Sequence, residues 1–205
     1  LWLFNRRIQS QLGILLVMSY VFFFLASGWH LILLIISTVV DWTAGNSIHN
    51  SNEEKKRKRW LYLSLVTNLG LLGIFKYLDF FIRSLNWWSL DVGLIPDEEV
   101  GLALPVGISF YTFQTMSYTI DIYRKKSEPS ENLVTFACYA AFFPQLVAGP
   151  IVRFSHFREQ VSKELGFSLP RAKLGVTLIL YGLVKKLVFA DNFATQVDGI
   201  FSNPD

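Results

Sequence analysis

The stretch LPVGISFYTFQTMSYTIDIYR, residues 104–124, is long enough for a membrane helix, yet carries a hydroxyl or amide at almost every second position. At 100° per residue, Phe113, Met116 and Ile120 fall in one narrow stripe. Gln114, Ser117, Tyr118 and Asp121, with Tyr111 and the threonines, fill most of the remaining circumference. Such a helix cannot be wrapped by lipid, because unpaired polar groups in hydrocarbon cost several kcal/mol; it must pack against other helices or line a wet cavity. Serine and threonine hydroxyls can bond their own backbone. Gln114 and Asp121 satisfy themselves less easily and, with Tyr118, are candidates for a cavity wall or a structural network. Asp121 sits within a turn of Arg124 and is expected to pair with it.

Composition supports the membrane reading. The 205 residues are 52% hydrophobic and 16% aromatic but only 17% charged, against about 25% in soluble domains, and the mean hydropathy is +0.36. Charge is segregated into Arg6-Arg7, EEKKRKR at 53–59, RKK at 124–126 and a basic stretch from Arg153 to Lys173, with nearly neutral apolar blocks between them. Basic loops beside apolar spans follow the positive-inside rule, so the formal charge of +3 does not point to nucleic acid. Cys138 stands alone, which excludes an internal disulfide or a cysteine-based metal cluster and reads as packing. No HExxH, phosphate-binding glycine loop or glycosidase carboxylate pair appears. The chain opens on Leu1, not Met, which suggests that residues precede it.

The apolar block Leu12–Val40 is about 29 residues, or about 44 Å as one helix, against a hydrocarbon core of about 30 Å. ASGWH at 26–30 is therefore expected to break it into two helices, leading to Asp41 and a polar loop, AGNSIHNSNEEKKRKR. It is too long for a signal peptide. A further span runs from Trp60 to about Arg83, with Lys76, Asp79 and Arg83 on one face. NWWSLDVGLIPDEEVG reads as an interfacial loop on the non-cytoplasmic side. LVTFACYAAFFPQLVAGPIVRF is interrupted at Pro144 and Gly149-Pro150 and leads into another basic region. A full crossing would put that region outside, so the segment is expected to dip in and return, its backbone buried in protein. A final helix, KLGVTLILYGLVKKLVFADNFA, carries Lys185 and Lys186.

The opening stretch, together with FFPQLVAGPIVRF and GLVKKLVFADN, resembles the membrane-bound O-acyltransferase family, in its bacterial branch of alginate O-acetylation and teichoic-acid D-alanyl transfer. The resemblance covers nearly the whole chain. It implies an all-α, polytopic integral membrane protein of the inner membrane: a bundle of short tilted and re-entrant helices forming a single domain over residues 1–205. It also implies acyl transfer from a cytoplasmic thioester, acetyl-CoA or another, towards an extracytoplasmic polysaccharide handled with periplasmic or extracellular acetyltransferase partners. No bound cofactor or metal is implied. The family's catalytic histidine lies in a later apolar segment, so the chain is expected to be truncated before it and inactive alone. His30, His49 and His156 do not match that position, and no catalytic residue is assigned.

Transfer between a thioester and an acceptor needs a water-shielded meeting place and hydrogen-bond donors for the developing oxyanion. Gln114, Tyr118, Asp121 and Gln145 are candidates for a tunnel wall. Arg153, Lys185 and Lys186 could attract a phosphate-bearing donor, though as topology markers they need no ligand. A polar-faced helix, a re-entrant segment and intramembrane charges also mark transporters and channels, and a non-catalytic scaffold is a third reading.

Overall fold

The computed structural model describes residues 8–78, 80–82, 84, 104–146, 149–161 and 168–202. They are helical throughout apart from turns and short connections, with no strand among them. They fall into two compact units, one within Leu3–Glu164 and one within Leu165–Asp205.

The first unit opens with α1, Ile8–Ser27, and α2, Leu31–Asn50, separated by the 3₁₀ turn Gly28–His30. Gly28 has φ +58°, a left-handed conformation that costs glycine little and interrupts the apolar run where ASGWH predicted. Ser10–Asn50 is long and apolar enough to cross a membrane, and Leu25, 80% exposed, typifies its uncovered apolar faces. One expectation fails here. Asp41 does not lead into a polar loop: α2 continues to Asn50, and Ala44, Gly45 and Ile48 are buried. The reason is tertiary, since small and apolar positions in that polar-looking stretch face neighbouring helices, and packing overrides weak local propensity.

The charge run is helical too. α3 spans Glu54–Leu72 and continues as a π-helical segment, Gly73–Tyr77. Lys76 donates to Ser109 at 3.0 Å; Asp79 and Arg83, expected on the same face, and the loop 86–101 lie outside the described residues. α4, Ile108–Tyr123, follows Gly107, whose φ of +72° and 2.4 Å gap from a built Cβ to the Leu146 carbonyl oxygen leave no room for a side chain. α5 is Leu133–Ala141, N-capped by Asn132, whose side chain accepts from the Val134 amide. A break at Phe142 leads to the single turn α6, Phe143–Leu146, and α7 spans Phe154–Val161. Leu133–Leu146 is apolar but, at about 1.5 Å per residue, only about 21 Å long, short of the bilayer core.

α4 packs against α2 and α3, as its polarity demanded. Tyr111, Thr112, Gln114, Thr115, Tyr118 and Thr119 are all buried. Phe113 is exposed, but Met116 of the same stripe is buried at 9%, so the apolar stripe is only partly uncovered. α2 approaches α4 closely at Gly45, where a Cβ would stand 2.6 Å from Tyr118 Cε1. Tyr118 in turn packs on Phe136 and Phe154, with ring centroids 4.3 and 5.1 Å away. At the C-terminal end of α4, Arg57 Nη2 donates to the Tyr123 carbonyl at 2.5 Å, and beyond the helix Glu128 and Arg158 approach to 3.5 Å. The basic segments around residues 57, 125 and 158 therefore meet at one end of the unit.

The second unit comprises α8, Leu169–Val184, a π-helical segment, Lys185–Ala190, and α9, Asp191–Ser202.

Candidate functional site

The centre of the first unit is a buried polar seam where α2, α3 and α4 meet. Asp41 is fully buried. Asn68 Nδ2 donates to both of its carboxylate oxygens, at 2.9 and 2.8 Å, and Ser64 Oγ donates to Oδ1 at 2.6 Å. Ser37 Oγ donates to Asn68 Oδ1 at 2.6 Å, and Ser64 and Thr119 hydroxyls lie 3.0 Å apart. Among the described residues no cation pairs with Asp41; neutral donors hold it. Sequence reasoning missed this cluster. The signal was present as Ser37 and Asp41 on α2 and Ser64 and Asn68 on α3, each pair four residues apart and so on one helical face within an otherwise apolar run.

Of the residues singled out beforehand, Gln114 and Tyr118 are buried on α4. Gln114 Nε2 donates to the Tyr139 carbonyl of α5 at 2.7 Å, while its Oε1 has no partner. Tyr139 returns the contact, its hydroxyl donating to the Val152 carbonyl at 2.8 Å and lying 3.2 Å from that of Gln114. Gln145 on α6 also has a buried Oε1 without a partner, as do the Tyr111 hydroxyl and Thr112 Oγ1. These atoms are unused hydrogen-bonding capacity, which is uncommon in a settled core. Tyr118 is engaged elsewhere: its hydroxyl accepts from the Ser130 amide at 3.1 Å.

Asp121 pairs with Arg153, Nη1 lying 3.1 Å from each carboxylate oxygen, and not with Arg124 as sequence proximity suggested. The helix ends at Arg124, and the chain leading into α7 brings Arg153 onto the α4 face instead. Two candidates far apart in sequence are thus joined at the edge of the unit, Asp121 13% and Arg153 59% exposed.

Lys185 and Lys186 belong to the second unit and have local partners there. Lys185 Nζ stands 4.4 Å from the Tyr181 ring centroid, and Lys186 Nζ 3.5 Å from Asp191. His30 Nδ1 donates to the Ser27 carbonyl at 2.7 Å and its ring stacks on Trp29, a packing role; His49 and His156 are exposed. Among the described residues no group of His, Cys, Asp and Glu could hold a metal ion. At the α3 start, the Tyr123 hydroxyl donates to Glu54 at 2.5 Å and holds that exposed carboxyl below its usual range.

The chain is 35% identical over 205 residues to the probable alginate O-acetylase AlgI of Pseudomonas syringae and 36% identical to that of Pseudomonas aeruginosa, in each case over 98% of this chain and 38% of the relative. It is 32% identical over 215 residues to the peptidoglycan O-acetyltransferase of Helicobacter pylori, covering 89% of this chain and 39% of that protein. The chain thus spans well under half the length of the curated relatives it matches. No family profile and no solved structure matches it.

Proposed function

Because the chain belongs to the membrane-bound O-acyltransferase family, in the branch of bacterial O-acetylases, we propose that it is part of a multi-pass inner-membrane O-acetyltransferase. The protein passes acetyl groups from a cytoplasmic thioester, acetyl-CoA or another donor, towards an extracytoplasmic polysaccharide such as alginate or peptidoglycan, with extracytoplasmic acetyltransferase partners completing delivery. The observation that carries this reading is identity of about one residue in three over 98% of the chain to proteins named as O-acetylases.

Acyl transfer breaks the thioester C–S bond as an acceptor oxygen attacks the carbonyl carbon, with the acceptor proton passing to a base and the thiol leaving. No residue of this chain is assigned as that base. Its contribution is a wall: α4 and α6 present amide oxygens of Gln114 and Gln145 and the Thr112 and Tyr111 hydroxyls from buried positions without partners of their own. Amide and hydroxyl groups so placed can orient a polar substrate while packed helices exclude bulk water. The Asp121–Arg153 pair sits where that region approaches the end bearing the basic segments. In the orientation we infer, residues 53–59, 124–132 and 153–173 face the cytoplasm and 86–101 the opposite side, which puts Arg153 on the donor's side.

The test uses the full-length protein in membranes supplied with acceptor polymer and acetyl-CoA labelled in the acetyl group. Label should enter the polymer, with Gln114→Leu and Arg153→Gln lowering the rate while the protein remains folded. Absence of transfer from any acetyl thioester, accompanied by solute flux that tracks the protein in sealed vesicles, would replace this reading with a transporter.

A further inference from the structure

Away from the seam, a cavity of about 450 Å³ lies where the α2–α3 turn meets the C-terminal cap of α4. Its wall includes His49, Asn52, Arg57, Lys125, Lys126 and Glu128. That volume falls within the usual range for small-ligand sites. The charge balance in the wall is positive. Glu128, the acid there, is 3.5 Å from Arg158 and so is already partly compensated. Among the described residues neither Lys125 nor Lys126 has an ion-pair partner.

Two features distinguish these cations. Arg57 is fixed: its side chain is 12% exposed, its Cζ lies 5.1 Å from the Tyr123 ring centroid, Nη2 is anchored on the Tyr123 carbonyl, and Nη1 lies 3.5 Å from the carboxylate of Glu54, an exposed acid outside the cavity wall that offsets part of its charge. A guanidinium has five N–H donors, so this anchoring leaves others to point at a ligand. The second feature is Lys125. The amides of Lys125 and Lys126 bond back to the carbonyls of Ile122 and Asp121, the two bonds of a Schellman cap. The residue at the left-handed position of such a cap is usually glycine; here it is Lys125, with φ +57°. A cation is therefore kept at a backbone position that favours no side chain, and it lines the cavity.

We propose that this cavity binds a phosphate group. Arg57 supplies a rigid, planar donor face, and Lys125 and Lys126 supply point charges, the combination that suits phosphate oxygens. Asn52 adds a side-chain amide to the same wall. The phosphate can come from an anionic lipid headgroup at the membrane surface or from a soluble phosphate ester. Capture here requires no acetyl transfer, so it stands or fails separately from the enzymatic reading.

The experiment follows the melting midpoint of the full-length protein in nanodiscs, in two arms. In the first, phosphatidylcholine discs receive inorganic phosphate or chloride at matched ionic strength. In the second, without soluble phosphate, phosphatidylcholine discs are compared with discs containing phosphatidylglycerol. Wild type, Lys125→Gly, Lys126→Gln and the control Lys56→Gln are measured in each. Lys125→Gly keeps the backbone conformation and relieves its strain, so it should melt at or above the wild-type temperature without ligand. The expected result is a rise of several degrees in one arm or both, retained by Lys56→Gln and lost in Lys125→Gly and Lys126→Gln. A rise in the first arm identifies a soluble phosphate source, and a rise in the second a lipid source. No phosphate-specific or phosphatidylglycerol-specific rise, or one that survives both cavity substitutions, overturns the proposal.

Discussion

Asn68→Ala is the sharpest probe of the polar seam. The substitution removes the amide that donates to both Asp41 oxygens, at 2.9 and 2.8 Å, and that accepts from Ser37 at 2.6 Å. Asp41 Oδ1 keeps Ser64, but Oδ2 and the Ser37 hydroxyl lose these partners inside a fully buried site. A hydrogen bond to a charged group is worth about 1.5–3 kcal/mol, and an abandoned hydroxyl adds about 1 kcal/mol. Partners available to the unfolded chain in a membrane reduce the sum. The net expectation is a loss of about 2–4 kcal/mol, or about 5–12 °C in melting midpoint for a domain of this size. Labelling of the buried Cys138 thiol during a temperature ramp of the solubilised protein reads the midpoint. A reciprocal swap sharpens the test. Asn68→Asp alone places two carboxylates together and should be the worst variant, whereas adding Asp41→Asn restores one acid facing one amide and should recover much of the loss. If Asn68→Ala melts within a degree of wild type, or if the swap gives no recovery, Asp41 and Asn68 do not interact as described.

Gly45→Ala puts a methyl group 2.6 Å from Tyr118 Cε1, on a ring backed by Phe136 and Phe154; overpacking should cost about 1–3 kcal/mol, seen in the same melt. Tyr118→Phe removes only the acceptor for the Ser130 amide and should cost about 1 kcal/mol. Arg153→Gln breaks a pair whose arginine is 59% exposed, so its stability cost should stay below about 1 kcal/mol; a fall in labelled acetyl transfer well beyond that cost would assign the pair to function. Cysteines introduced at Lys56, Ser127 and His156 should react with an impermeant reagent from one side of the membrane only, because contacts from Arg57 to Tyr123 and from Glu128 to Arg158 gather those segments at one end. Labelling of His156→Cys from the opposite side to Lys56→Cys would refute that arrangement.

Local chemistry determined much of this protein in advance. The helical content, the break at Gly28 and the burial of α4's polar residues all follow from side-chain type and helical period, since a helix carrying Gln114, Thr115 and Thr119 has no stable place in lipid. Motifs in the same residues led to the O-acyltransferase resemblance. Tertiary structure decided what those polar groups meet. Asp41 looked like the start of a loop because its downstream residues are polar, yet α2 continues through it as Ala44, Gly45 and Ile48 pack inward, and Ser64 and Asn68 from α3 supply the donors for its carboxylate. Asp121 had a cation one turn away, but Arg153 reached both carboxylate oxygens from 32 positions on. The capture of Arg57 by Tyr123 likewise joins residues 66 positions apart. Periodicity specifies which side chains share a face of one helix; which other helix supplies the opposite charge or the missing donor depends on how the chain returns, and only the packed structure fixes that.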